Sequence, residues 1–215
     1  MAAPENITVR HLRDRLAGTD KPADPLDVVM PPGSELWPRG MRDQLTSSLK
    51  PAGVLIPVIE RENSELSLLL TQRAAELKHH AGQVSFPGGR MEAHDADIEV
   101  TALRETREEV GIEHRDVTVI GYLEPMPTIT GYAVTPIVGL INSSAELSLD
   151  RTEVEFVFEV PLAFLLDPKN KKMVERDVEG RVATLAEFHY GGQRIWGATA
   201  FIILQFIKKI KNNKL

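Results

Sequence analysis

The chain has no cysteine in its 215 residues. That excludes a disulfide framework, a thiolate metal site and a cysteine nucleophile together, and it fits a reducing compartment, so a cytoplasmic location is expected. Positive charge is also short: 25 Lys and Arg stand against 31 Asp and Glu, for a net charge of −6. A general polyanion binder draws its affinity from a basic surface. No nucleic-acid partner is therefore expected, although an anionic small molecule stays open if a local cluster or a bound cation supplies the missing charge. Long apolar runs are missing too. The best candidate, Phe201 to Ile207, falls far short of the roughly 20 residues that a spanning helix needs. No apolar run follows basic residues near the start, so neither a membrane partner nor a secretory leader is expected.

Apolar residues make up 42% of the chain, a globular composition with no internal repeat and no low-complexity tract. At roughly 100 to 200 residues per domain, the length favours one domain with an appendage. Residues 1–50 read as an N-terminal arm, with a short helix through Val9, Leu12 and Leu16 followed by a loop rich in proline (Pro22, Pro25, Pro31, Pro32, Pro38). Residues 51–215 read as the main domain. Its apolar, β-branched runs predict strands at Val54–Ile59 and Leu66–Thr71, separated by a polar turn, and at Val117–Leu123, Ala133–Ile141 and Val154–Val160. Val182–Tyr190 and Gln193–Trp196 flank Gly191-Gly192, a hairpin signal. A helix is expected from about Ala96 to Val110, ended by Gly111, and another from about Ala198, its closing lysines suiting the negative end of a helix dipole. The pattern implies an α/β fold with a mixed sheet and helices on its faces.

The stretch Arg104-Glu105-Thr106-Arg107-Glu108-Glu109-Val110-Gly111-Ile112 carries the chemistry. At about 100° per residue, Glu105, Glu108 and Glu109 share an arc of about 100° on one helical face. Ala96, Val100, Leu103 and Val110 form a stripe almost opposite. That wheel has the helix packing through the stripe and presenting its acids to a cleft, and it leaves Arg107 awkwardly beside the stripe. Like charges at these spacings oppose the helix by roughly 0.2 to 0.5 kcal/mol per pair, and a cation resolves the conflict. Oxygen ligands alone select a hard ion, Mg²⁺ or Mn²⁺, and the Gly88-Gly89 turn upstream offers further carbonyl oxygens.

Gly89, Asp95 and the Arg104–Ile112 run together resemble the Nudix box, G-x5-E-x7-R-E-U-x-E-E-x-G-U, where U is aliphatic. Asp95 stands where Glu is usual, one extra residue precedes Arg104, and Thr106 replaces an aliphatic. Upstream, Leu69-Leu70-Thr71-Gln72-Arg73-Ala74, Gly82 and Phe86-Pro87-Gly88-Gly89 are similar to the additional signature of the coenzyme A pyrophosphatase branch, with Lys78 at its second Arg position. Gly131–Pro136, Glu153-Val154 with Pro161-Leu162, and Trp196–Ala200 extend the likeness over about Gly53 to Leu204.

The resemblance implies a Nudix α/β/α sandwich and a Mg²⁺- or Mn²⁺-dependent hydrolase. Its substrate would be coenzyme A, or an acyl or disulfide form, cleaved to 4′-phosphopantetheine species and 3′,5′-ADP. The rival expectations are a Nudix hydrolase of ADP-ribose or an NAD-type dinucleotide, and a nucleotide-binding regulator that does not cleave. Glu105 and Glu109 are the first choice of metal ligands, with Glu108 on a second ion or outside it and the Gly89 carbonyl completing the set; the resemblance gives Arg104 the task of orienting the glutamates. Glu153 and Glu155 are candidates for the general base, or a solvent-facing strand edge. Arg73, Lys78, His79 and His80 form the basic cluster nearest the box, suited to the 3′-phosphate. Phe86 either stacks on adenine or anchors the turn in the core. A small-molecule nucleotide partner and a monomer or homodimer are expected.

Overall fold

The computed structural model describes residues 7–30, 34, 39–61, 65–76, 82–178 and 181–211. In chain order come helix α1 (Val9–Leu16), helix α2 (Arg39–Leu45), and strands β1 (Lys50–Glu60), β2 (Leu66–Arg73), β3 (Val84–Ser85) and β4 (Gly88–Arg90). Helix α3 (Ile98–Val110) precedes strands β5 (Val117–Tyr122), β6 (Met126–Pro127), β7 (Tyr132–Ile141) and β8 (Val154–Pro161). Helix α4 (Leu162–Leu166), strands β9 (Lys171–Val178), β10 (Arg181–Tyr190) and β11 (Gln193–Ile195), and helix α5 (Gly197–Lys211) complete the set.

The main sheet runs β3-β2-β1-β7-β5, with β8 added to β2 and short β4 and β6 added to β1 and β7. It is mixed as expected: β1 and β7 run parallel from the Lys50/Tyr132 pair to Ile59/Ile141, while the β1–β2 hairpin and the other pairs are antiparallel. Alternation along the strands sorts side chains onto two faces. Leu55 and Ile59 of β1, Leu69 of β2 and Ile137 of β7 pack with Ala102 and Val110 of α3. Ile56, Val58, Leu68, Leu70 and Val138 join the larger core beneath α1 and α5. Helices thus cover both faces, giving the α/β/α sandwich.

Residues of the N-terminal arm enter that larger core. Thr8 caps α1 by accepting from the His11 N–H at 3.3 Å, and Leu12 and Leu16 are buried, packed against α5 and β5. Helix α5 buries Ile202, Ile203, Phe206 and Ile210 and ends in exposed lysines, so Phe201–Ile207 is a core segment. Among the described residues no helix is long and apolar enough to cross a membrane. Helices α2 and α4, strand β9 and the short strands β3, β4 and β6 escape the sequence pattern. Strand β9, KKMVERDV, pairs only with β10 at the edge of the second sheet β9-β10-β11, where a charged strand hides its signal.

Helix α3 begins two residues later than the expected Ala96. Asp97 caps it by accepting from the Glu99 and Val100 N–H groups, and Gly111, at φ 78°, ends it in the left-handed region. Its orientation corrects the helical wheel. The buried positions are Ile98, Thr101, Ala102, Thr106, Glu109 and Val110, whereas Ala96 is exposed and Val100 and Leu103 are only half-buried. Two threonines hide the true face from a hydrophobicity count, because each satisfies its hydroxyl internally. Thr106 donates to the Ala102 carbonyl at 2.6 Å and Thr101 to Asp95 at 3.0 Å. This turns Arg107 to solvent and Glu109 inward.

The helix can sit this close because Gly53 of β1 has no side chain: a Cβ there would lie 2.6 Å from the Ile98 carbonyl oxygen and 3.2 Å from the Ala102 nitrogen. Both are backbone atoms that cannot swing aside. Gly53→Ala should destabilise the fold by about 1 to 3 kcal/mol, read as a lowered urea midpoint with an unchanged m-value.

Candidate functional site

The site forms where α3 crosses β4 and the end of β2. Arg104 is its hub. Nε donates to Asp95 Oδ1 and Nη2 to Oδ2, both at 2.9 Å, and Nη2 also donates to the Arg90 carbonyl at 3.2 Å. Nη1 donates to Glu105 at 2.9 Å and to Glu108 at 2.8 Å. Asp95 is buried and accepts in addition from the Glu92 N–H at 2.9 Å. The Arg104 guanidinium, aided by these further bonds against the cost of burial, holds the Asp95 carboxyl well below the usual carboxylate range. The shorter acid at this position thus makes a bidentate pair with the arginine.

Glu109 is 3% exposed. It accepts from the Gly88 N–H at 3.1 Å and from Arg73 Nη1 at 3.3 Å. Burial pushes its carboxyl from 4.5 up to about 7, against the pull of Arg73 and Gly88 and with added repulsion from Glu105 and Glu153. Glu105 is also pushed up by burial, against Arg104. Its carboxylate rests on the bare backbone of Gly89, where a Cβ would come within 2.6 Å of the carboxyl carbon. Glu108 stands at the rim, half exposed. Glu153, just before β8, lies 3.9 Å from Arg73 with its side chain 48% exposed.

The segment that delivers Glu153 is fastened to the end of α3. Ser148 donates its N–H to the Val110 carbonyl at 2.9 Å and Asp150 to the Glu109 carbonyl at 3.0 Å.

The structure therefore brings Arg73, Gly89, Arg104, Glu105, Glu108 and Glu109 together. Arg73 faces the carboxylates, which departs from the expectation that it stands ready for a remote phosphate. Lys78, His79 and His80 lie outside the described residues. Phe86 is 3% exposed and belongs to the main core, while also forming part of the wall of a cleft beside the glutamates. That cleft has a volume of about 410 Å³ and is lined by Arg73, Phe86, Gly88, Gly89, Tyr132 and Trp196 among others. A larger cavity of about 830 Å³, between Thr19, Arg42 and Lys208, includes neither the carboxylates of α3 nor the Arg73, Gly88 and Gly89 that touch them, and is not the site of this chemistry. Glu155 is exposed. Sequence reasoning missed the Gly88 N–H, a backbone donor with no signal in the pattern, and gave no place in the site to Trp196, which is half-buried in the cleft wall.

Among the described residues no three carboxylates or imidazoles converge at direct ligand spacing; Glu105 and Glu108 are bonded to Arg104 and Glu109 to Arg73. The donor set nevertheless suits a hard divalent cation: oxygen only, two members raised by burial and mutual repulsion, and a glycine backbone in place of side chains on the facing strand.

The NUDIX domain profile matches residues 49–190. The chain is 40% identical over 168 residues to a protein named Uncharacterized Nudix hydrolase NudL from Photorhabdus laumondii, an alignment covering 78% of this chain and 89% of that one. It is 41% identical over 177 residues to the protein of the same name from Pectobacterium atrosepticum, covering 79% and 90%.

Gly89→Ala tests the contact with Glu105. The clash falls on the far end of a flexible side chain, so the melting temperature should stay within a few degrees while hydrolytic activity falls at least tenfold through displacement of the carboxylate. A variant with wild-type turnover would show that the Glu105 position does not matter.

Proposed function

From the premise that this chain belongs to the Nudix hydrolase family, which acts on nucleoside diphosphate derivatives and generally uses divalent metal ions, we propose that its substrate is coenzyme A or an acyl or disulfide derivative. The reaction is hydrolysis of the diphosphate to 4′-phosphopantetheine species and 3′,5′-ADP with Mg²⁺ or Mn²⁺. The observation that carries this reading is the meeting of two motifs in one place. Arg73, from the Leu69–Ala74 segment, and Gly88, from the Phe86–Gly89 segment, both bond Glu109 of the box helix. The segments that resemble the coenzyme A branch thereby share the site of the carboxylates, and the cleft beside them offers apolar walls for the non-reacting parts of a nucleotide.

Glu105 and Glu109 are the proposed ligands of the cation, with Glu108 at a second ion or outside the first and the Gly89 carbonyl as a further oxygen. A bound divalent ion would neutralise phosphoryl oxygens and lower the pKa of a coordinated water. The chain's own groups supply the rest. Arg104 sets the directions of Glu105 and Glu108. Arg73 offers a cation at the diphosphate end of the cleft while tempering the charge of Glu109. Glu153, held at the rim with half its side chain in water, is the proposed acceptor of the proton of the attacking water. With Arg73 turned inward, recognition of the 3′-phosphate is assigned to Lys78 and His80. Intact Glu105, Glu108 and Glu109 speak against a binder that does not cleave.

Product analysis over coenzyme A, dephospho-coenzyme A, ADP-ribose and dinucleotides, with Mg²⁺ and with Mn²⁺, tests the substrate. Coenzyme A should be preferred over the dephospho form; a preference for ADP-ribose would overturn the assignment. Glu109→Gln should lower kcat on the order of 10²-fold.

The same variant has a thermodynamic signature. A carboxyl raised from 4.5 to about 7 favours the folded state when protonated, so in metal-free buffer that contribution is present below about pH 4.5 and lost as pH rises through 7. Wild type should therefore lose stability relative to Glu109→Gln over that range in thermal melts, and added Mg²⁺ or Mn²⁺ should recover the loss in wild type alone.

A further inference from the structure

The wall of the cleft opposite the glycine turn holds Trp196, in the single-residue link between β11 and α5. Gly197 follows in the left-handed region at φ +62°, and the indole lines the cleft. It is half-buried, so part of its surface there is open to a ligand. Its other neighbour is a cation. The Arg194 guanidinium carbon sits 4.8 Å from the ring centroid, within the range of a cation–π contact.

Arg194 is itself fixed. Its Nε donates to Glu187 at 2.8 Å, and the same carboxylate is bonded to His189 at 2.9 Å and Arg176 at 3.2 Å. Glu187 is 6% exposed. Despite the cost of burial, its three partners hold its carboxyl down at about 2, so this anchor stays charged through the working pH range. Three strands of the second sheet thus meet at one buried carboxylate, whose part-exposed partners include the guanidinium held behind the indole.

A cation on one face draws electron density from the ring and leaves it better suited to stack with an electron-rich heterocycle. A purine presents such a π-face, whereas a flexible chain of amides and methylenes does not. We propose that Trp196 is the platform on which the adenine ring of the substrate stacks, with Arg194 as the positioning residue that holds and polarises it and Glu187 as its anchor. The proposal rests on the reading of the cleft as the nucleotide site, and it names the specificity element that the carboxylate helix, which reads only the diphosphate, lacks.

The test measures binding, so it stands apart from turnover. Dissociation constants of AMP and ribose 5-phosphate are determined by calorimetry for wild type and variants. Wild type should bind AMP on the order of 10- to 100-fold more tightly than the base-free sugar. Trp196→Leu should abolish that ratio and Trp196→Phe should keep most of it. Arg194→Gln should shrink it severalfold and Arg194→Lys should restore it, a rescue that a merely structural role would not show.

In a Trp37→Phe background the remaining indole should be quenched by AMP and not by ribose 5-phosphate, which decides the matter without altering Trp196 should Trp196→Leu fail to fold. An unchanged ratio in Trp196→Leu, equal weakening of both ligands, no ratio in wild type, or no quenching would overturn the proposal. Failure to hydrolyse coenzyme A with the ratio intact would instead overturn the substrate assignment and leave the platform standing.

Discussion

A guanidinium carries five N–H donors in a fixed plane, and Arg104 uses all five. Two go to Asp95, one to the Arg90 carbonyl, one to Glu105 and one to Glu108. This sharing ties the loop before α3, the strand β4 and two acids of α3 to one point. A lysine could hold the charge and not the directions. Because Asp95 is buried and takes the Nε–Nη2 edge of the fork, the arginine cannot rotate toward the glutamates altogether. It neutralises part of their repulsion and leaves the remainder unbalanced, which is the condition under which an added cation is welcome.

Glu109 shows the other half of that balance. The helix is turned so that this acid points inward, where among the described residues Gly88 and Arg73 donate to it. Burial pushes its carboxyl up against the pull of Arg73 and Gly88, so a further positive charge at this place would favour its ionised form. The orientation follows from packing: Gly53 admits the helix backbone against β1, and Thr101 and Thr106 accept burial because each has a partner for its hydroxyl.

Much of this was legible in the sequence. Strands β1, β2, β7, β8 and β10 announce themselves by apolar, β-branched runs, and α3 by its acids and its closing glycine. The grouping of Glu105, Glu108 and Glu109 on one stretch of helix follows from spacing, and the family resemblance set Arg104 beside them. What the sequence hid was rotation and partnership. A helical wheel ranks Thr101 and Thr106 as polar and Leu103 as core, and so turns α3 away from its true face. Asp95 looks like a loss of reach when read against a glutamate, yet the backbone brings it within bidentate distance. The pairing of Arg73 with Glu109 joins positions far apart in sequence, and no local pattern reports such a contact. Strand β9 is silent because its stability comes from backbone pairing with β10, not from burying its own charged side chains.

The tether between the loop after β7 and the last turn of α3 has a geometric corollary. Ser148 and Asp150 bind the carbonyls of Val110 and Glu109, and three residues later the chain reaches Glu153. Gly111 leaves no slack, since a Cβ there would strike the backbone of Ser148 at 2.7 Å. The loop therefore works as a ruler. The number of residues from Asp150 to β8 sets the gap between an acid facing inward and one at the rim, so a change of length here would change the spacing of those two acids.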